Sequence, residues 1–189
     1  MANTDTKLQD ALRSVAFYHL DGEKGEGPEL MKQYEIHAYP TFVLMDADGR
    51  MMNRWWGVRS PRDFMETLAL AKDDPMPVPE REARMAKAPN AHDAALLARV
   101  RMTNNDFKAA DSLYALAVKL EKDAKVDHTW DIFDVVSSGY PDDFDYARLK
   151  ACADRALALG SPEPGAIADL AMSMVDAAKN EKLGTDAWA

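Results

Sequence analysis

A single cysteine, Cys152, stands among the 189 residues, and its isolation removes a whole chemistry. Thiol–disulfide exchange needs an attacking thiolate and, as a rule, a resolving partner. Cys152 lies among alanines in a stretch of helical periodicity, where a small buried hydrophobe is expected rather than a reactive thiol. The histidines His19, His37, His92 and His128 fall in a β-prone run, a pre-proline loop, a helix start and a linker, so no pair has metal-ligand spacing. The acidic stretches Asp21-Gly22-Glu23-Lys24-Gly25-Glu26-Gly27 and Asp46-Ala47-Asp48-Gly49 lack the spacing of a calcium loop and read as solvated turns. No serine occupies a nucleophile elbow, and no glycine-rich phosphate loop follows a strand. The residues therefore offer no catalytic constellation, no metal site and no cofactor site. The neighbouring rings Trp55 and Trp56 point instead to binding.

The elements that hold these groups lie in the first 75 or so residues. Pro40 lacks a ladder donor and so marks the start of a strand rather than its middle. Phe42-Val43-Leu44-Met45 follows as an apolar run, and Asp48-Gly49 predicts a tight hairpin turn with positive φ at both central positions. Residues 51–57 then pair antiparallel with 42–45. Alternation along that second strand sends Trp55 and Trp56 to opposite faces, one ring into the core and the other outward or under another element. An outward tryptophan is a candidate anchor for a partner. Ser60-Pro61-Arg62-Asp63 reads as a helix start, and Phe64, Leu68 and Ala71 give that helix an apolar face. Upstream, Asn3-Thr4-Asp5 caps a short helix through Leu8 and Leu12, residues 15–20 (Val-Ala-Phe-Tyr-His-Leu) read as a strand, and Pro28 opens a helix ending near Tyr34. The expected order is strand, helix, strand, strand, helix.

Composition changes near residues 72–79, where prolines and charges cluster, and becomes rich in alanine afterwards. We place a domain over 1–75, a linker over 76–90 and a helical domain over 91–189. Ala91, Ala94, Ala95, Ala98 and Met102 share one helical stripe; Asn104-Asn105-Asp106 breaks it; Ala110, Leu113, Tyr114, Ala117 and Leu120 form the next. Further helices are expected over 129–136, 144–159 and 164–180, with Gly160 closing one and Pro162-Glu163-Pro164 opening the next. Tyr146, Leu149, Ala153, Ala156 and Leu157 mark the apolar side of the helix that ends at Gly160.

The stretch from Asp21 through Tyr39-Pro40-Thr41 to Trp55-Trp56 and Leu68 resembles the second half of a thioredoxin-fold domain. The resemblance implies a cis-proline at Pro40 and makes Tyr39, Pro40 and Thr41 the loop whose backbone meets an extended peptide. The Cys-x-x-Cys unit of that family, its helix start and the strand before it have no counterpart, so the resemblance implies the fold and withholds the redox chemistry. In the family the absent strand lies between those matching residues 15–20 and 42–45. The gap is expected to be closed by direct pairing, by another chain or by a swapped segment, because open edges recruit strands. The pair of helices at Leu97, Ala98, Asp106, Phe107, Ala110, Tyr114 and Ala117 resembles a tetratricopeptide repeat. The expected fold class is α/β plus all-α: an incomplete thioredoxin-like sheet followed by tetratricopeptide-like helical hairpins.

A formal charge of −9 and a pI near 4.9 argue against a nucleic-acid or anionic-membrane surface. Residues 1–10 are polar and do not read as a signal segment, so the chain as written is expected in the cytoplasm, or in the periplasm or outside the cell if an upstream signal has been lost. The expected function is a non-catalytic protein- or peptide-interaction module, redox-inactive, with a homo-oligomer or a strand-completing partner. The alternative is a piece of a thiol-disulfide oxidoreductase whose Cys-x-x-Cys lies upstream of Met1.

Overall fold

Two short strands, β1 (Thr41–Met45) and β2 (Met51–Trp56), form an antiparallel hairpin with Phe42 opposite Trp55 and Val43 opposite Arg54. The computed structural model describes residues 4–57, 61–123, 126–160 and 164–183, and the chain divides into two compact units, Met1–Glu80 and Arg81–Ala189. Among the described residues the sheet of the first unit has these two strands alone.

The turn between them is wider than the sequence suggests. Asp46 N donates to Arg50 O at 3.0 Å, which closes the loop around residues 47–49. The Asp46 carboxylate accepts from Asp48 N at 3.0 Å, Arg50 N at 2.8 Å and Arg50 Nε at 2.7 Å. This side-chain cap replaces the tight turn, so only Gly49 takes positive φ, at +75°, and the register shifts between Leu44 and Met45.

Three helices accompany the hairpin: α1 (Thr4–Arg13), α2 (Gly27–Gln33) and α3 (Pro61–Asp73). One face of the sheet is apolar. Phe42 stacks on Trp55 at 5.6 Å and meets Phe64 edge-on at 5.0 Å, while Leu8, Leu12 and Leu68 close the cluster. Phe64, Leu68 and Ala71 are buried, as their spacing predicts. On the other face Arg54, fully buried, donates to the carbonyl oxygens of Tyr34 and Glu35 just past the end of α2. Those carbonyls sit where a helix leaves acceptors unsatisfied, and the guanidinium supplies the donors. The caps read from Asn3 and from Ser60 lie outside the described residues.

The strand expected over residues 15–20 does not form. Val15 packs against the Trp55–Phe64–Leu68 cluster, and residues 16–20 follow without regular structure. The physical reason is the partner: a strand needs a neighbour for its ladder, and no described strand lies beside this one.

The linker expected over 76–90 is largely helical. Val78-Pro79 opens α4 (Val78–Lys87), with Glu80 in the first turn and Arg84 and Lys87 in the last, an arrangement that suits the helix dipole. The second unit continues with α5 (Ala91–Thr103), α6 (Phe107–Leu120), α7 (Thr129–Gly139), α8 (Tyr146–Leu159) and α9 (Pro164–Asn180). Asn90, Asp106 and Asp145 cap α5, α6 and α8 with their side chains, and Gly160 ends α8 at φ +75°. Each helix from α5 onward packs on its neighbour in sequence. Ala94, Ala98, Ala110, Tyr114 and Ala117 are fully buried, so small residues let α5 and α6 approach closely. Leu157, placed by its spacing on the buried side of α8, is exposed; Leu149, Cys152, Ala153 and Ala156 fill that side instead.

The second unit also buries charge. Asp93, 0% exposed at the start of α5, accepts from Arg81 Nη1 at 2.5 Å and from Arg84 Nε and Nη2 at 2.7 and 2.6 Å. Asn90 Nδ2 donates to the same carboxylate at 2.7 Å. Burial by itself pushes the Asp93 carboxyl up, but Arg84, Asn90 and Arg81 outweigh it and hold it at about 2. This clamp ties α4 to α5 and has no signature in the hydrophobic pattern.

Candidate functional site

The loop ahead of β1 is built from three directions. Thr41 Oγ1 donates to Ala38 O at 2.6 Å, which holds the backbone on either side of Tyr39-Pro40 in a closed bend. Gly57 N donates to Pro40 O at 2.9 Å, so the end of β2 fixes the start of β1. The Tyr39–Pro40 bond is cis, as expected from the sequence. Tyr39 is 63% exposed, and its hydroxyl donates to Met31 Sδ of α2.

Gly22 lies beneath that ring. A Cβ at Gly22 would fall 2.2 Å from Tyr39 Oη and 2.5 Å from Met31 Sδ, so only glycine leaves space for the tyrosine to lie there. Gly22 and Met31 are thus part of the loop's support, and neither carried a signal in the sequence. Gly22 read as one more glycine of a solvated turn.

The two tryptophans differ in burial. Trp55 is 8% exposed and belongs to the core, which removes it from any surface. Trp56 is half-buried at the end of β2. Of the two candidate anchors, Trp56 is the more accessible.

The remaining chemistry-bearing groups are dispersed. His19 and His37 are exposed and His92 is half-buried. His128 Nδ1 lies 3.2 Å from Asp131 Oδ2 and its ring rests on Tyr114 at 5.6 Å. Cys152 is buried, and burial raises its thiol above the ordinary range, which keeps it protonated. Among the described residues no group of three or more His, Cys, Asp or Glu side chains is arranged to hold a metal ion, and no helix is long and apolar enough to cross a membrane.

What the loop can do is present backbone and one aromatic ring to a ligand. No protein-family model matches the sequence, and comparison with curated proteins and with solved structures finds no similar protein.

Proposed function

We propose that the chain is a non-catalytic, thioredoxin-like module for protein or peptide binding, joined to a tetratricopeptide-like helical unit. An extended peptide lies against the backbone of Tyr39, Pro40 and Thr41, with Tyr39 covering one of its side chains. The observation that carries this reading is Tyr39 itself, a large ring left 63% exposed yet held in place by Met31 and Gly22. An exposed aromatic with restricted freedom loses little entropy on binding, which is the property of an anchor. The neighbour-to-neighbour packing from α5 to α9 supports a repeat-like second surface.

The test is titration of the full chain with a library of extended peptides, followed by NMR. Shifts concentrated on residues 38–41 are expected. Gly22→Ala, which displaces the ring, should weaken binding about tenfold, or about 1.4 kcal/mol. The chain should also fail to reduce insulin, because Cys152 is buried and alone. Shifts elsewhere, or turnover of insulin, would overturn the reading.

A further inference from the structure

Among the described residues no strand pairs with the side of β1 that faces away from β2. Pro40 O bonds to Gly57 N, and in an antiparallel ladder alternate residues turn the same way, so Phe42 and Leu44 direct their backbone groups to β2. Thr41 and Val43 therefore direct theirs to the opposite edge. Protein edges are normally guarded by charge, by proline within the strand or by cover. The sequence of β1, Thr-Phe-Val-Leu-Met, holds neither charge nor proline. All five of its residues are half-buried, whereas β2 buries Met52, Asn53, Arg54 and Trp55 in succession. The hairpin is thus more deeply covered around β2 than around β1.

The same chain carries an unused donor. Residues 16–20, Ala-Phe-Tyr-His-Leu, are β-prone and contain no acid, yet among the described residues they belong to no strand. Phe17 is 55% exposed, Tyr18 76% and Leu20 39%. Consecutive large apolar side chains left in water mark an interaction surface.

We propose that a second copy of the chain satisfies both features at once: residues 16–20 of one protomer add as a strand to the outer edge of β1 of its partner, and the exchange is reciprocal. A second copy is favoured over an unrelated peptide because it uses the open edge and the idle segment together. It also closes on itself in a two-fold dimer without leaving a growing end. Neither residues 16–20 nor residues 41–45 contain an acidic residue, so no carboxylate within the paired segments would oppose their approach. The inference is independent of the peptide-binding loop, since its determinants are Val43 and Phe17 rather than Tyr39.

The full chain is examined by light scattering across a concentration series, and a dimer is expected. Val43→Pro removes the outward N–H without touching the β2 ladder, and Phe17→Asp places a carboxylate on the donor. Each should weaken the dimer about tenfold or more while circular dichroism stays unchanged. In a Cys152→Ala background, F17C and V43C chains mixed and oxidised should give a disulfide between one of each. A monomer at every concentration, or a dimer indifferent to both substitutions, overturns the proposal. So does a mixture in which each variant pairs only with itself. Peptide titration at Tyr39 is read separately, so either idea can fail alone.

Discussion

Replacement of Asp93 tests whether the buried charge cluster holds α4 to α5. Asp93→Ala removes the carboxylate that Arg81, Arg84 and Asn90 all donate to, and with it the counter-charge 2.5 Å from the buried Arg81 guanidinium. Breaking a buried pair from one side costs about 3–5 kcal/mol, because a desolvated charge loses its counterpart. A second estimate comes from protonation. The carboxyl is held at about 2 against an ordinary 3.8, a difference worth about 2 kcal/mol by linkage. The sign follows from the depressed value: this stabilisation is complete above the unfolded pKa and is lost as pH falls through the folded one, between about pH 4 and pH 2. The two estimates differ because mutation also removes the oxygens that Arg81 and Arg84 donate to, which protonation leaves in place. The assay is urea unfolding of the full chain, with hydrogen exchange of α4 and α5 as the local readout. A loss below about 1 kcal/mol for Asp93→Ala, or unchanged exchange in α4, would refute the clamp. The double variant Arg81→Met, Asp93→Leu should recover much of the loss, since apolar replacement of a buried pair is often neutral; a double variant no better than the single would place the cost elsewhere.

Arg54→Met leaves the Tyr34 and Glu35 carbonyls without their buried donor and should cost the first unit about 2 kcal/mol, read as faster exchange at the end of α2. Gly49→Ala forces a side chain into φ +75° and should cost about 1 kcal/mol by thermal melt, with the hairpin register preserved by the Asp46 cap. Cys152 should resist alkylation at neutral pH until the helical unit unfolds, because burial raises its thiol; rapid labelling of the folded chain would contradict its placement. Acid titration from pH 5 to about pH 2 should destabilise the second unit in wild type far more than in the Arg81→Met, Asp93→Leu variant, measured by helical ellipticity.

The loop at Tyr39 was legible because proline ahead of an apolar run and a turn signal after it are local features. Its support was not. Gly22 and Met31 meet Tyr39 from positions 17 and 8 residues away, and neither spacing nor residue type announces that encounter. The same holds for Arg54, whose guanidinium fills the end of a helix 20 residues upstream. Residues 76–90, read as a linker, contain the division between the two units at residue 80, and the helix there escaped the reading because Pro79 sits in a first turn, where proline is tolerated.

The sequence by itself determined several helix termini, the hairpin and most buried stripes, because caps, turn residues and periodicity act over a few residues and need no distant partner. The tertiary structure decided what depends on company. Residues 16–20 have every local preference of a strand and form none, since a ladder exists only where a neighbour offers its backbone. Asp93 and Arg81 are buried where hydrophobicity alone would expose them, since a charge leaves water only when another meets it.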